Sequence, residues 1–343
     1  MERSRQAPLS ILLKHSGALS PALLTQVAAA AGRWRQAEID INFMGDLAQN
    51  LFPSPLPRCD MLARLELSID DRRTSLFRHV APEEVVQAFP LLVAFTLQTD
   101  ETQVPSAFDL LWPRLEECNL TQCRSRDVLK VLALLSSNCR VGLTSCGQDC
   151  QADTLSSIVT VCRASVVSIV TIGSRQAHFL SLLSTILQLP NARKLWLPVS
   201  HRSLLSIPGF LNRSPTLSHL HLHISDQTDP HSQTLAELVD WPELGNIRRL
   251  ELWLHKDRNS TRLLDALKRA DSKALPRLNS LAIRGAGVNL AWILAVHKAR
   301  APQLQKLLVP INTTIPQPPI PGFDVQFWDT QFLGEWSKNL EII

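Results

Sequence analysis

The sequence predicts an α/β fold in which one short strand and one helix alternate along the whole chain. The first observation is a recurring apolar pattern, L-x-x-L-x-L with conservative substitutions. It appears at Leu62-Leu65-Leu67, Leu92-Phe95-Leu97, Leu115-Cys118-Leu120 and Ala192-Leu195-Leu197. It returns at Leu217-Leu220-Leu222, Ile247-Leu250-Leu252, Leu278-Leu281-Ile283 and Leu304-Leu307-Val309, and a weaker copy opens at Trp34-Ala37-Ile39. Up to Leu115 the starts lie 28, 30 and 23 residues apart, and from Ala192 onward 25, 30, 31 and 26. The second observation is helical patterning between the copies. The third is a proline with a basic or polar neighbour ahead of many copies, which closes a helix and opens the turn into the next strand. Strand plus helix at this spacing is the signature of a leucine-rich-repeat solenoid, with a curved parallel sheet on the concave side and helices on the convex side. A doubly wound α/β domain also alternates strands and helices, but it does not need the same apolar triplet in strand after strand.

The elements follow in order. Ser20-Pro21 opens a helix over 21–31, with a capping hydroxyl and proline at the first helical position. Proline signals stand at Leu56-Pro57-Arg58, Trp112-Pro113-Arg114, Ser214-Pro215-Thr216, Leu275-Pro276-Arg277 and Ala301-Pro302-Gln303. Further helices are expected over 126–135, 177–187, 234–239, 260–270 and 290–298. The 77-residue gap between Leu115 and Ala192 has room for two more copies. The candidates are Val141-Gly142-Leu143 and Val166-Val167-Ser168-Ile169, both ambiguous in register. Residues 1–309 therefore read as one solenoid. Residues 136–153 hold three cysteines, two glycines and few large side chains, so a soft point is expected there. Residues 310–321 carry five prolines and read as an extended linker. Residues 322–343 contain Phe323, Phe327, Trp328, Phe332 and Trp336 and read as an aromatic C-terminal cap or a docking segment.

Composition excludes more than it selects. Lys+Arg 35 against Asp+Glu 31 gives a net charge of +4, too weak for an electrostatic nucleic-acid binder. No apolar run approaches the ~18 residues that a spanning helix requires. The first 17 residues lack a signal-peptide h-region, so an intracellular protein, cytoplasmic or nuclear, is expected. The seven cysteines form no C-x-x-C and no finger spacing with histidine, so they read as reduced thiols packed like small apolar side chains. The Asn119, Asn212, Asn259 and Asn312 sequons read as chance matches. Phosphate-binding glycine loops and zinc-protease motifs do not occur. Residues 142–147, GLTSCG, have the composition of a nucleophile elbow at the wrong spacing and read as a polar turn. Glu83-Glu84, Asp70-Asp71 and Glu116-Glu117 read as solvated charge in loops or strand edges. No enzyme activity, cofactor or metal is expected.

The opening residues carry a family resemblance. Ala7-Pro8-Leu9-Ser10-Ile11-Leu12-Leu13, then a helix, then Arg33-Trp34-Arg35-Gln36-Ala37-Glu38-Ile39 resembles the repeat region of F-box proteins abundant in mushroom-forming fungi. In that family a P-L-S-L strand, a helix and an R-W-R strand follow the F-box. The resemblance extends loosely over nearly the whole chain. It implies repeats that present protein substrates to a ubiquitin ligase, with a Skp1-like adaptor bound by the F-box. No L-P-x-E-hydrophobic helix stands ahead of residue 7. An adaptor is therefore expected only if an F-box lies upstream. The alternative is a stand-alone repeat scaffold or regulatory protein unrelated to ubiquitin.

Strand alternation names the candidate surface. Residues 1, 4 and 6 of each copy face the core, so residues 3, 5 and 7 face the concave side. In the first half these include Glu38, Asp40, Glu66 and Glu117 beside Arg64. In the second half they include Lys194, Trp196, His219, His221, His223, Arg249, Trp253 and Arg284, the partner-binding candidates. Trp196, His221, Arg249 and Trp253 are expected at the centre of an exposed patch that takes an acidic, partly apolar protein partner. The rival expectation is that the two tryptophans are covered by the chain's own C-terminal tail or by a neighbouring loop. The His219-x-His221-x-His223 row reads as exposed and polar, because its imidazoles stand ~6.6–7 Å apart along the strand and no carboxylate is obvious beside them. The protein is expected to be a monomer that binds neither nucleic acid nor membrane.

Overall fold

The computed structural model describes residues 7–14, 20–41, 48–69, 74–77, 79–100, 103–147, 159–170, 175–199, 207–224, 237–254, 258–269, 275–284, 288–310, 313 and 319–327. It is a mixed α/β structure that divides into two compact units, Met1–Ala192 and Arg193–Ile343. The stretch 136–153 lies inside the first unit, and its residues 148–153 fall outside the described ones.

In the first unit the strands are β1 (Leu9–Leu13), β2 (Trp34–Asp40), β3 (Arg64–Ile69), β4 (Ala94–Thr99), β5 (Glu117–Thr121), β6 (Arg140–Thr144) and β8 (Val166–Val170). Each pairs in parallel with the strand before and after it in that list. Register is kept across the unit. Ala37, Leu65, Phe95, Cys118, Val141 and Val167 form one row, and Ile39, Leu67, Leu97, Leu120, Leu143 and Ile169 the next. All are buried, so both rows line the core. The two ambiguous copies are thereby registered, with Val141 and Leu143, then Val167 and Ile169, turned inward. A short parallel pair, β7 (Thr160–Val161) and β9 (Leu187–Gln188), stands apart from these strands.

The helices are α1 (Pro21–Ala29), α2 (Ala48–Leu51), α3 (Pro82–Ala88), α4 (Ser125–Leu134) and α5 (Arg175–Ile186). Ser20 caps α1 as its sequence signals: its hydroxyl accepts from the Leu23 amide at 3.2 Å, and Pro21 follows. Helix α3 is an addition to the sequence reading and corrects it. Glu83 and Glu84 are not loop charges but lie in the first turn of α3, where carboxylates complement the helix dipole. Glu84 also accepts from the Leu56 amide at 2.8 Å. Residues 142–147 are likewise strand through Thr144 before the chain turns at Ser145 and Gly147, both at positive φ.

The core of this unit is aromatic at one place. Phe95 stacks on Trp112 with ring centroids 5.4 Å apart, and Phe108 meets Phe95, Trp112 and Phe77, which meets Phe52. Such side chains bury 150–250 Å² each, at about 25 cal/mol per Å² of apolar surface, and dominate the packing. Cys59, Cys118, Cys123, Cys139, Cys146 and Cys162 are buried free thiols. Burial pushes Cys59 and Cys139 up to about 12 and Cys162 to about 11, so they act as small apolar side chains.

In the second unit the strands are β10 (Lys194–Val199), β11 (His219–Ile224), β12 (Arg249–Leu254), β13 (Ser280–Arg284), β14 (Lys306–Val309) and β15 (Asp324–Phe327), each parallel to its neighbour. Leu195, Leu220, Leu250, Leu281 and Leu307 share a buried row. The helices are α6 (Ile207–Asn212), α7 (Arg258–Leu267) and α8 (Leu290–Arg300), and the described part of the 234–239 helix is a 3₁₀ turn at Leu238–Asp240. Asn289 caps α8 by accepting from the Trp292 amide at 2.8 Å. Trp292 and Arg300 donate to the Leu264 and Leu267 carbonyls, which ties α8 to α7. Beyond the proline-rich stretch, Phe323 is buried against His297 and leads into β15. Trp328, Phe332 and Trp336 lie outside the described residues.

Candidate interaction face

All eight candidate residues sit in the second unit, on β10 to β13, and register gathers them into three rows. Lys194, His219, Arg249, Ser280 and Lys306 form the first row, continued by Asp324. Trp196, His221, Glu251 and Ala282 form the second. Pro198, His223, Trp253 and Arg284 form the third. The iBiBiB burial of β11 and β12 follows directly from the sequence alternation HLHLHI and RLELWL, with leucines in the core and the polar set outside.

The second row overturns two expectations. Trp196 is not an exposed anchor: it is only 8% exposed. Its ring lies 5.3 Å from that of His221 and 6.1 Å from that of His223, so cross-strand imidazoles flank it. A carboxylate does stand beside the histidine row, because Glu251 is the direct register partner of His221. Glu251 Oε2 lies 3.1 Å from His221 Nδ1, and Oε1 lies 2.6 Å from Arg249 Nε. This makes a linked His–Glu–Arg chain on the surface of the sheet. Burial pushes the His221 imidazole down and outweighs the pull of Glu251, with Arg284 and Arg249 acting the same way as burial. Glu251 is the reverse case: burial would raise it, but His221 and Arg249 together hold it below the usual carboxylate range. His221 is therefore a neutral ring at neutral pH, and Glu251 its charged neighbour. Among the described residues no group of three His, Cys, Asp or Glu is arranged to hold a metal ion.

The third row is a stack. His223 lies over Trp253 with centroids 4.4 Å apart and planes 27° from parallel. The Arg284 guanidinium stands 4.3 Å from the Trp253 centroid. Because β11 and β13 flank β12, the imidazole and the guanidinium take opposite faces of the indole. The cation–π contact is worth ~0.5–1 kcal/mol at a half-exposed site. Burial lowers Arg284 from its ordinary value, yet a guanidinium keeps its charge.

The first row is the cationic one. Lys194 is exposed and Lys306 half-buried, and neither has an ion-pair partner among the described residues. Burial and then the charges of Lys194 and Arg249 push His219 down, with Arg248 adding to the same field. Glu251 and Lys306 share this face with the candidate residues. Only the register shows that the first braces His221 and Arg249 and the second ends the cationic row.

The corresponding face of the first unit answers its own charges. Lys14 pairs with Glu38, and Arg64 with Glu117 at 3.1 Å. Burial, and then the charge and hydrogen bond of Glu38, push Glu66 up to about 7. No protein-family model matches this chain, and no curated protein resembles it in sequence.

Proposed function

We propose that this chain is a leucine-rich-repeat-like solenoid that works as a non-enzymatic protein-interaction module, the substrate-recognition repeats of an F-box-like protein serving a ubiquitin ligase. The supporting observation is the in-register stacking of polar residues along β10–β14. Equivalent positions of successive strands there build one continuous surface from residues far apart in sequence. Arg, Trp and His side chains that contact one another across neighbouring strands before any partner arrives have the composition of an interface centre. The opening P-L-S-I strand and the R-W-R strand also support the family reading, and they now pair side by side as β1 and β2. In this reading the protein partner is acidic, and a Skp1-like adaptor binds only where an F-box is joined to the repeats. The described residues include no helix long and apolar enough to cross a membrane.

The test is affinity capture of the full gene product with mass spectrometry. Recovery of a Skp1-like adaptor, plus a substrate lost on Arg249→Ala/Trp253→Ala, is the expected result. A partner set without any adaptor and indifferent to those substitutions would overturn the assignment.

A further inference from the structure

We infer that the first row of this face, Lys194–Arg249–Lys306, is a docking track for an extended acidic segment whose carboxylates recur at every third residue. The inference rests on the interaction-module reading and names the chemistry of its partner. Adjacent strands stand ~4.8 Å apart, and the three cations occupy alternate strands β10, β12 and β14 of one register row. They therefore recur at ~9.6 Å across the sheet. A polyproline II segment advances ~3.1 Å per residue with three residues per turn, so its i, i+3 and i+6 side chains recur on one side at ~9.3 Å. The two periods match, whereas a β-strand ligand presents one face every second residue, at ~6.6–7 Å.

The residues between the cations do not interrupt the track. His219 is kept neutral by burial and by the flanking cations, and Ser280 is uncharged. Arg249 is set in place by its Glu251 contact, so the middle position is ordered before binding. Glu251 and Asp324 are the opposing charges nearby. Glu251 lies one row away, shared between His221 and Arg249, whose charge it partly offsets, and Asp324 is the register partner of Lys306, where it accepts from Gln326 at 2.6 Å.

The same geometry argues against a nucleic-acid strand. Base stacking needs an open aromatic face. Trp196 is buried, and both faces of Trp253 are covered by His223 and Arg284. What the row offers is charge at a fixed repeat, which a regularly acidic polypeptide meets.

Fluorescence anisotropy on the full chain tests this with labelled nonamer peptides. The first is Glu-Pro-Pro repeated three times, and the second has the same composition with its glutamates adjacent. The spaced peptide should bind at least ~10-fold tighter, weaken steeply with salt, and lose binding on Lys194→Glu/Lys306→Glu. Lys130→Glu in the first unit should change nothing, and circular dichroism melts check that each variant is folded. Equal affinity for the two peptides, no binding of either, or tighter binding of an oligo-dT strand would overturn the track. If affinity capture still finds a partner that depends on Arg249 and Trp253 but is not displaced by the spaced peptide, the interaction reading stands and this inference alone falls.

Discussion

At the scale of single residues, Gly142 shows how a side chain on one strand dictates its neighbour. Asn119 on β5 is the register partner of Gly142 on β6. Its Nδ2 donates to Glu117 Oε1 at 3.1 Å and to Thr96 Oγ1 at 3.4 Å, which turns Oδ1 over the glycine. A Cβ at residue 142 would sit 2.4 Å from that oxygen. Gly142→Ala should therefore push the Asn119 amide aside and lower stability by no more than ~1 kcal/mol, because the atom it meets is the end of a flexible side chain, and Asn119→Ala in the same chain should remove that difference in chemical denaturation. Glu66 makes a pH-dependent prediction. Its folded value of about 7 lies above the ordinary 4.5 of a glutamate, because burial and Glu38 both disfavour the anion. The folded form thus binds the proton more tightly, and its stabilising share is complete below about pH 4.5 and lost as pH rises towards 7. Glu66→Gln should match the parent near pH 4 and exceed it in melting temperature at pH 8. A constant difference across that range would contradict the assignment.

At the scale of elements, most strands were legible because they carry an apolar triplet, even where Trp34, fully buried, stands in for leucine, whereas the short β7 and β9 and the C-terminal β15 carry none. The register of Val166–Val170 was not legible, since every position but Ser168 is apolar and Ser168 is itself only 8% exposed. Helices α3 and α6, of 7 and 6 residues, are too short to show a 3.6-residue period. Only Pro82 with Glu83 and Glu84 marked the first. The face residues were legible by alternation, but not what they touch. The imidazoles beside the Trp196 ring stand on the next strand, and the His221–Glu251 pair appears only once β11 and β12 are aligned. Helix α8 gives this scale its prediction. Its N-terminus is closed by Asn289 and its flank by the Trp292 Nε1 bond to Leu264 O at 2.9 Å. Asn289→Ala should cost ~0.5–2 kcal/mol. Trp292→Phe should cost ~1–3 kcal/mol, because a buried carbonyl loses its donor. If Trp292→Phe unfolds at the parent's denaturant midpoint, its bond to Leu264 contributes nothing to the second unit, and an unchanged midpoint for Asn289→Ala would say the same of the cap.

At the scale of the whole molecule, apart from the short β7–β9 pair, every strand between the ends of a unit bonds to a parallel neighbour on each side, so stability is distributed through neighbour contacts. Weakness then belongs where neighbouring side chains are small. In the first unit that place is β6 and its surroundings. Arg140–Thr144 is bonded on both sides, and Val141 and Leu143 are buried, yet Cys118, Cys139, Cys146 and Gly142 supply much of the adjacent volume. A cysteine in a leucine position forfeits on the order of 1–2 kcal/mol of burial. Strands β11 and β12 instead bring Leu220, Leu222, Leu250 and Leu252 to the same depth. Local opening free energies should follow that difference. Native-state hydrogen exchange is therefore expected to show amides 141–144 exchanging faster than those of 220–224 and 250–254, by a factor of 10 or so for each ~1.4 kcal/mol of local stability. Leu143→Ala should widen the gap while leaving 250–254 unchanged. Equal protection at all three strands would mean that the paired backbone alone sets the opening energy, and that the first unit has no soft point between residues 136 and 147.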